Sequence, residues 1–311
     1  MHKIKFLTIA IILILSLVLI GQSVDVSARA LGATSPTLGA AGSYSVLAGS
    51  IVTNTGPTTM PGNLGISPGI GPTPHFSAFP PGVVGPPGAI HDVDKSAANA
   101  QISNTAAFLA LSAAPNVACN AAYTTGTGVV DLSGATLTPD VYCADAFTLT
   151  TGIALTLNAL GDPNAVWIFR SELSTLSTTP GVGANVVFLG GVGSACNVWW
   201  KVASSATIGS GSAFIGNILA LTSISLGTGA SLDGRALAQT GAVTLDTNTI
   251  TGVVCLTPDT TRRRNVNGLP NTGGAPIRNQ DLPWSLLVIG GISAIALVFG
   301  VRQYRITKRS K

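Results

Sequence analysis

The amino-acid sequence predicts a mainly β protein, a β-solenoid with one long α-helix packed alongside it. Three observations support this fold class: the composition, an internal repeat of 18 residues, and a single Ala- and Leu-rich segment. Hydrophobic residues make up 46% of the 311-residue chain, aromatic residues only 5% and charged residues 9%, and glycine occurs 37 times. This composition suits stacked β-structure with a narrow interior filled by mid-sized aliphatic side chains, whereas a disordered chain would carry more charge.

The clearest repeat relates the stretch 208–222 to the stretch 226–240, a shift of 18 residues. The matched residues are Ile208, Gly209, Gly211, Phe214, Gly216, Leu219, Ala220 and Thr222, against Leu226, Gly227, Gly229, Leu232, Gly234, Leu237, Ala238 and Thr240. Looser copies run from Thr244 to Gly252 and from Ser50 to Gly65. A fixed period with glycine at the corners is typical of a solenoid, whose coils stack in parallel with alternating inward and outward side chains. A β-sandwich, the alternative, does not require similar residues at a fixed period.

One segment, residues 92–114, departs from the repeat and is rich in Ala and Leu. Asp92 or Asp94 can cap its start, and Pro115 ends it. Three of its side chains share one helical face, namely Ile102, Ala106 and Leu109. This pattern predicts an amphipathic helix that packs along the solenoid. Because the helix separates the earliest copy of the repeat from the others, residues 38–65 are predicted to lie beside the late coils.

Residues 1–30 have the three parts of a signal peptide. A basic start precedes an apolar run from Phe6 to Ile20, and Ala28-Arg29-Ala30 supplies a cleavage site. An N-terminal membrane anchor is the alternative, but the apolar run is short for a membrane span. The sequence therefore predicts export, with the solenoid domain covering residues 31–255 of the exported chain.

The C-terminal region carries a pentapeptide, an apolar run over residues 284–301 and a basic tail over residues 302–311. The pentapeptide consists of Leu269, Pro270, Asn271, Thr272 and Gly273. This order resembles the L-P-x-T-G sorting signal of Gram-positive surface proteins, which implies that a sortase cuts after Thr272 and joins the chain to peptidoglycan. The apolar run would act as a transmembrane segment before sorting, with the cations holding the tail in the cytoplasm. A plain single-span anchor is the alternative, and residues 256–268 are predicted to form a flexible stalk.

The four cysteines, Cys119, Cys143, Cys196 and Cys255, fit an exported protein. Disulfides persist outside the cell, and an even number of cysteines can pair completely. Three pairings are open, and we favour Cys119–Cys143 with Cys196–Cys255 because each closes the shorter available loop. The alternative of a zinc site has no C-x-x-C motif or nearby histidine to support it.

Residues that carry chemistry are sparse. Between residues 31 and 255 the chain holds four cationic and nine acidic residues, so the overall charge of +4 does not indicate nucleic-acid binding. The sequence has no P-loop and no H-E-x-x-H motif. His75 is predicted to lie on the surface and His91 at the start of the helix. We therefore predict no enzymatic activity, no cofactor and no bound metal.

A polysaccharide-cleaving enzyme is the catalytic alternative, because some solenoids have that activity. Asp140 and Asp145 flank Cys143, but no cluster of carboxylates and aromatic residues accompanies them. The pair Trp199-Trp200 could stack on a sugar. Strand alternation instead predicts one ring in the core and one on the surface.

Three separated stretches resemble, in order, the microbial ice-binding protein family. They are SYSVLAGSIVTNTGPTTMPGNLGISPG, LTPDVYC and the run from NVWWKVASSATIG to TLDTNTITG. The resemblance covers roughly residues 36–255. It implies a discontinuous, triangular β-solenoid with a long helix alongside, in a non-enzymatic monomer that binds ice through one flat face. Together with the sorting signal it implies an exported ice-binding protein anchored to the cell wall. A surface adhesin that uses the same scaffold for a non-ice ligand is the alternative.

Some members of that family carry a T-A/G-x-T/N motif on the ice-binding face. The nearest match here is Thr228-Gly229-Ala230-Ser231, where Ser replaces the last Thr. The internal repeat extends this position to other coils, although Ala213 has no hydroxyl and the N-terminal copy is irregular. The residues predicted for the face are Thr55, Thr59, Ser210, Ser212, Thr228, Ser231, Thr247 and Thr249. Ordinary polar turn and strand residues are the alternative.

Overall fold

The computed structural model describes residues 32–252, except residues 114, 117, 124–127, 151 and 179–183. This part of the chain contains one α-helix, α1 (Lys95–Ala110), a series of short strands, and three 3-10 helices at Gly39–Ser43, Leu189–Gly191 and Ala195–Asn197. The strands, in chain order, are β1 (Tyr44–Ala48), β2 (Val52–Thr55), β3 (Thr59–Met60), β4 (Asn63–Ile66), β5 (Val83–Val84), β6 (Ile90–Asp92), β7 (Val129–Asp131), β8 (Thr136–Leu137), β9 (Val141–Ala144), β10 (Ala146–Leu149), β11 (Leu155–Leu157), β12 (Trp167–Ser171), β13 (Leu176–Thr178), β14 (Val186–Phe188), β15 (Val198–Val202), β16 (Ala206–Ile208), β17 (Ala213–Ala220), β18 (Ile224–Leu226), β19 (Ser231–Ala238), β20 (Val243–Asp246) and β21 (Thr249–Ile250). Residues 92–94 of the predicted helix precede its first turn.

The strands form a β-solenoid with three sides, and their pairings are parallel. One side is a seven-stranded sheet in the order β2-β20-β18-β16-β13-β10-β7. A second side, the helix side, contains β9, β12, β15, the ends of β17 and β19, and β1, β4 and β6. The remaining side, called the third side, contains β8, β11 and β14, the starts of β17 and β19, and β21, β3 and β5. The predicted solenoid is therefore observed.

The solenoid is built from two separated parts of the chain. Strands β20 and β21 belong to the last coil of the C-terminal part, and β1 from the N-terminal part completes this coil by pairing with β19, with Val46 opposite Ala236. Strand β2 then pairs with β20, and β3 pairs with β21. This confirms that residues 38–65 lie beside the late coils. The 18-residue alignment is also confirmed, because Phe214 lies opposite Leu232 and Gly216 opposite Gly234.

The interior is filled by side chains from all three sides. Aliphatic residues predominate, and a stack of aromatic rings joins successive coils on the helix side. The rings of Phe169 and Trp200 stack with centroids 4.1 Å apart, and Tyr142 stacks on the other face of Phe169 at 5.4 Å. These rings meet because their residues are in register across β9, β12 and β15.

The helix covers the outer surface of the helix side and closes a second apolar cluster. Asp94 is its N-cap and accepts a hydrogen bond from the backbone N–H of Ala97. Its buried residues are Ala97, Ala100, Asn104, Ala107 and Phe108. They lie in one cluster, or beside it, with sheet residues that include Leu47, Ile168, Trp199, Leu219 and Leu237.

The predicted buried face of the helix is wrong. Ile102 and Leu109 are 70% and 64% exposed, and Ala106 is exposed as well. The helix instead turns Ala97, Ala100 and Ala107 to the sheet, since small side chains let a helix lie close to a strand surface. Apolar residues lie on more than one side of the helix, so the predicted three could not identify the buried face.

Two aromatic side chains lie deeper than the sequence predicted. Trp199 is only 3% exposed, because it lies in the apolar cluster under the helix and donates a hydrogen bond from Nε1 to Ser35 Oγ. His75 is 6% exposed, with Nδ1 2.8 Å from Asp92 Oδ1. The predictions of a surface ring and of a surface histidine are therefore wrong. His91 does lie at the start of the helix, with Nδ1 2.7 Å from Asp94.

The disulfide Cys119–Cys143 is confirmed. Cys196 is also disulfide-bonded, and Cys255 lies outside the described residues. No helix in the described part of the chain is long and apolar enough to cross a membrane. The predicted signal peptide, stalk, sorting signal and transmembrane segment all lie outside the described residues.

Candidate functional site

The outer surface of the seven-stranded sheet carries one straight column of polar residues. The strand registers place these residues side by side in the order Asp131, Thr148, Ser177, Thr207, Ser225, Thr244 and Thr53. Neighbouring strands lie about 4.8 Å apart. The column therefore repeats a hydroxyl-bearing side chain at this interval from Thr148 to Thr53.

Strand alternation directs this column outward. Each column residue lies between two side chains that point into the solenoid. Ala206 and Ile208 on either side of Thr207 are buried, and Ile224 and Leu226 on either side of Ser225 are buried too. The interior packing therefore fixes the direction in which the column side chains project.

The column hydroxyls are left available to solvent. Within the column one side-chain hydrogen bond is present among the described residues, between the hydroxyls of Thr53 and Thr244 at 3.3 Å. The next row differs, because Ser205 Oγ accepts a bond from the N–H of Ser223, and Ser223 Oγ accepts one from Ala242. The Ser205 and Ser223 hydroxyls therefore hydrogen-bond to the backbone of the adjacent coil, whereas the column hydroxyls are directed to solvent. Thr is stiff at χ1, so the threonine side chains of the column are preorganised.

Charge is confined to the borders of this surface. Among the residues of its seven strands only Asp131 and Asp246 are charged. Asp131 lies on the terminal strand β7 and Asp246 at the end of β20. Burial acts to raise the pKa of Asp131, but hydrogen bonds from Thr150 and Ser133 outweigh it, so the pKa is lowered. The interior of the column is uncharged.

The eight residues predicted for the binding face lie on more than one side. Thr55 is on the seven-stranded sheet, and Thr59, Ser231 and Thr249 are in register on the third side. Ser210, Thr228 and Thr247 lie on the turns between these two sides. Ser212 is buried, with Oγ 3.4 Å from Thr178 Oγ1, so its prediction as a surface residue is wrong.

The sequence reasoning missed the column itself. Its signal is a single Ser or Thr between two inward-facing residues, as in ATI, ISL and VTL, residues 206–208, 224–226 and 243–245. These triplets begin 18 and 19 residues apart, in step with the repeat. Thr228, which lies next to Gly229 and best matches the family motif, lies at a corner instead.

Potential metal-binding side chains do not cluster in the described part of the chain. None of the His, Cys, Asp and Glu side chains in this part of the chain gather in a group of three or more that could hold a metal ion. Asp140 is held by Asn120 Nδ2 at 2.6 Å and by the N–H of Val141 at 2.8 Å. This carboxylate therefore holds local structure together.

The fold and this surface define the class of protein: a parallel β-solenoid that presents a regular, uncharged hydroxyl array. The family model described as "Ice-binding-like" matches residues 46–251. The chain therefore belongs to the ice-binding-like family.

Individual relatives agree with the family assignment. The ice-binding protein of Nostoc sp. (strain HG1) is 44% identical over 225 residues, which cover 71% of this chain and 76% of the relative. A crystal structure of an ice-binding protein from an Antarctic biological consortium matches with 39% identity and a TM-score of 0.59, covering 70% of this chain and 91% of that one. The ice-binding protein of the Antarctic ascomycete Antarctomyces psychrotrophicus matches with 34% identity and a TM-score of 0.61, covering 71% and 99%.

Proposed function

We propose that this chain is a non-enzymatic ice-binding protein and that the outer surface of the seven-stranded sheet contacts ice. The observation that carries the proposal is the in-register column from Thr148 to Thr53. Family membership and the ice-binding relatives support the same function.

The column is suited to organise water. Its side chains present hydroxyls, and methyls where the residue is Thr, at the regular strand interval. Water molecules that bridge such fixed groups can belong to the protein's hydration layer and to the ice lattice at once. Each contact is weak, so binding depends on the number of aligned contacts. A charged group in the middle of the array would hold its own hydration shell and interrupt this order.

Bulky substitutions on two sides test which surface binds. We expect Thr207→Tyr, in the centre of the column, to lower thermal hysteresis and weaken inhibition of ice recrystallisation. Thr59→Tyr, at a residue that is also exposed but lies on the third side, should change neither. Both are measured on the full chain in detergent, with the detergent buffer as blank.

The reverse result would place the binding surface on the third side. If the unsubstituted chain has no effect on ice at high concentration, ice binding itself is wrong. Binding to cells or glycans under those conditions would then favour the adhesin alternative.

We further propose that the chain is exported and joined to peptidoglycan through Thr272. The support is the order of LPNTG, apolar run and basic tail. Expression of Thr272→Ala in the native host should move the protein from the cell-wall fraction to the membrane and medium. An unchanged distribution would argue for the plain membrane anchor.

A further inference from the structure

One corner of the solenoid has an unusual backbone conformation at Thr247. The turn between the seven-stranded sheet and the third side recurs in successive coils, and in four of them one turn position has positive φ. Glycine occupies this position as Gly211, Gly229 and Gly56, with φ of 71°, 69° and 74°. In the coil between Gly229 and Gly56 the position is Thr247, with φ of 53°.

Backbone hydrogen bonds show that these positions are equivalent. Gly211 N donates to Thr228 O, and Gly229 N donates to Asp246 O in the same way. Thr247 N donates to Thr55 O at 2.7 Å. Each bond runs from the positive-φ residue to the residue that precedes its counterpart in the next coil.

Thr is poorly suited to this conformation. Glycine adopts positive φ freely, but for a β-branched residue such a φ is an outlier that persists only where the surrounding structure maintains it. Such strained residues cluster at functional sites. The neighbouring coil makes room for the side chain, because a Cβ at Gly56 would meet Thr247 Oγ1.

The hydroxyl of Thr247 is held in a fixed direction. It donates to Asp246 Oδ1 at 3.0 Å, while the hydroxyl of Thr228 donates to Asp246 Oδ2. One carboxylate thus orients two exposed threonines. Asp246 lies two residues after Thr244 in β20, so these hydroxyls border the column.

We infer that Thr247 is an ice-contacting residue retained in a strained conformation for that purpose, and that Asp246 is its positioning residue. The inference rests on the proposed function. Both carboxylate oxygens of Asp246 accept hydrogen bonds from threonine hydroxyls. The array of oriented hydroxyls therefore continues from the column around the corner to Thr228 and Thr247. Ice contact then extends beyond a single flat sheet.

Substitution of Thr247 by glycine separates this role from folding. Glycine suits the backbone at this position, so Thr247→Gly should unfold thermally at the same temperature as the unsubstituted chain or higher. Its thermal hysteresis should nevertheless fall by about twofold or more, the size expected for one lost hydrogen-bonding group at an interface. Thr247→Ser, which retains the hydroxyl, should keep most of the activity.

The role of Asp246 is tested by a double-mutant cycle on the full chain. Asp246→Asn should also lower thermal hysteresis, and Thr247→Gly in that background should cause a smaller further loss than it does alone, since Asp246 acts in part through Thr247. Higher activity of Asp246→Asn would mean that its charge opposes ice binding, which overturns the inference. Full activity of Thr247→Gly overturns it as well. If Thr207→Tyr has no effect in the same assay, the proposed face has failed instead.

Discussion

At the scale of single residues, strand alternation decides what each side chain does. Trp200 points inward and lies between Phe169 and Phe214, with centroids 4.1 and 4.9 Å away. Its Nε1 donates to Ile215 O at 2.9 Å, which satisfies the indole inside the solenoid. Trp199, one residue earlier, points outward and is buried only because the N-terminal segment and the helix cover it.

We expect Trp200→Ala to lower the free energy of unfolding by about 3–5 kcal/mol, because it leaves a large cavity and removes a satisfied hydrogen bond. Denaturant unfolding followed by fluorescence or circular dichroism measures this loss. Leu173→Ala serves as the control, since Leu173 is 74% exposed and should change stability by less than about 0.5 kcal/mol. Equal effects would contradict the assigned interior.

At the scale of elements, the helix shows what a single-segment pattern can and cannot predict. Its existence followed from the Ala-rich run, and the structure selects Asp94 from the two predicted caps, Asp92 and Asp94. Its orientation could not be predicted. The predicted faces are reversed, with Ala100 and Ala107 against the sheet and Ile102 and Leu109 in solvent. The sheet lies close to the helix, so small side chains fit best between them. This requirement comes from the sheet and is not recorded in the sequence of the helix.

Matched substitutions on the two helix faces check this orientation. Ile102→Gln should change the free energy of unfolding by less than about 0.5 kcal/mol. Ala107→Leu should cost about 1–3 kcal/mol, because the larger side chain has no room against the sheet. A large loss from Ile102→Gln with none from Ala107→Leu would restore the face predicted from sequence.

The helix cap adds a pH dependence to stability. The N–H of Ala97 and the side chain of His91 hold the pKa of Asp94 below its usual value of 3.8. A carboxyl with a depressed folded pKa stabilises the fold above its unfolded pKa, and this contribution is lost as pH falls through the folded pKa. At neutral pH Asp94→Ala should therefore cost about 1 kcal/mol.

Unfolding measured from pH 7 downward tests the cap. The difference in the free energy of unfolding between Asp94→Ala and the unsubstituted chain should become smaller once the pH falls below 3.8. Asp94→Asn keeps a capping side chain that does not titrate, so its free energy of unfolding should exceed that of Asp94→Ala at low pH as well. If the unsubstituted chain differs from Asp94→Ala by the same free energy at every pH, the carboxylate charge plays no part in the cap.

At the scale of the whole molecule, the fold depends on pairing between the two ends of the described chain. β1 lies between β19 and β4, so it joins the C-terminal coils to the N-terminal ones. Arg235 on β19 reinforces the junction, donating through Nη2 to Gly42 O at 2.9 Å. The contacts that complete the solenoid are therefore long-range in sequence.

Removal of residues 32–48 should prevent formation of a stable fold, because it exposes the edge of β19 and the apolar cluster under the helix. Cooperative thermal unfolding and solubility report the loss. Thr34→Ala, which keeps β1, is the control and should unfold cooperatively. A deletion variant that still unfolds cooperatively would show that β1 is dispensable.

The local sequence was sufficient for the features that depend on local periodicity. The 18-residue repeat predicted a solenoid, the pair Asp92 and Asp94 marked the helix start, and the segment 38–65 was placed beside the late coils. Cys119–Cys143 was selected correctly by the shorter loop. Each of these follows from residue spacing along one segment.

Only the tertiary structure decided which polar residues share a surface. Thr207, Ser225 and Thr244 form a column because their strands pair in register, and Ser212 is excluded because its side chain points inward. The positive φ of Thr247 is likewise visible only in the structure, where glycine occupies the equivalent turn position of the adjacent coils. Sequence records the order of residues within a coil, whereas a surface that contacts ice is made across coils, where packing and register set the neighbours.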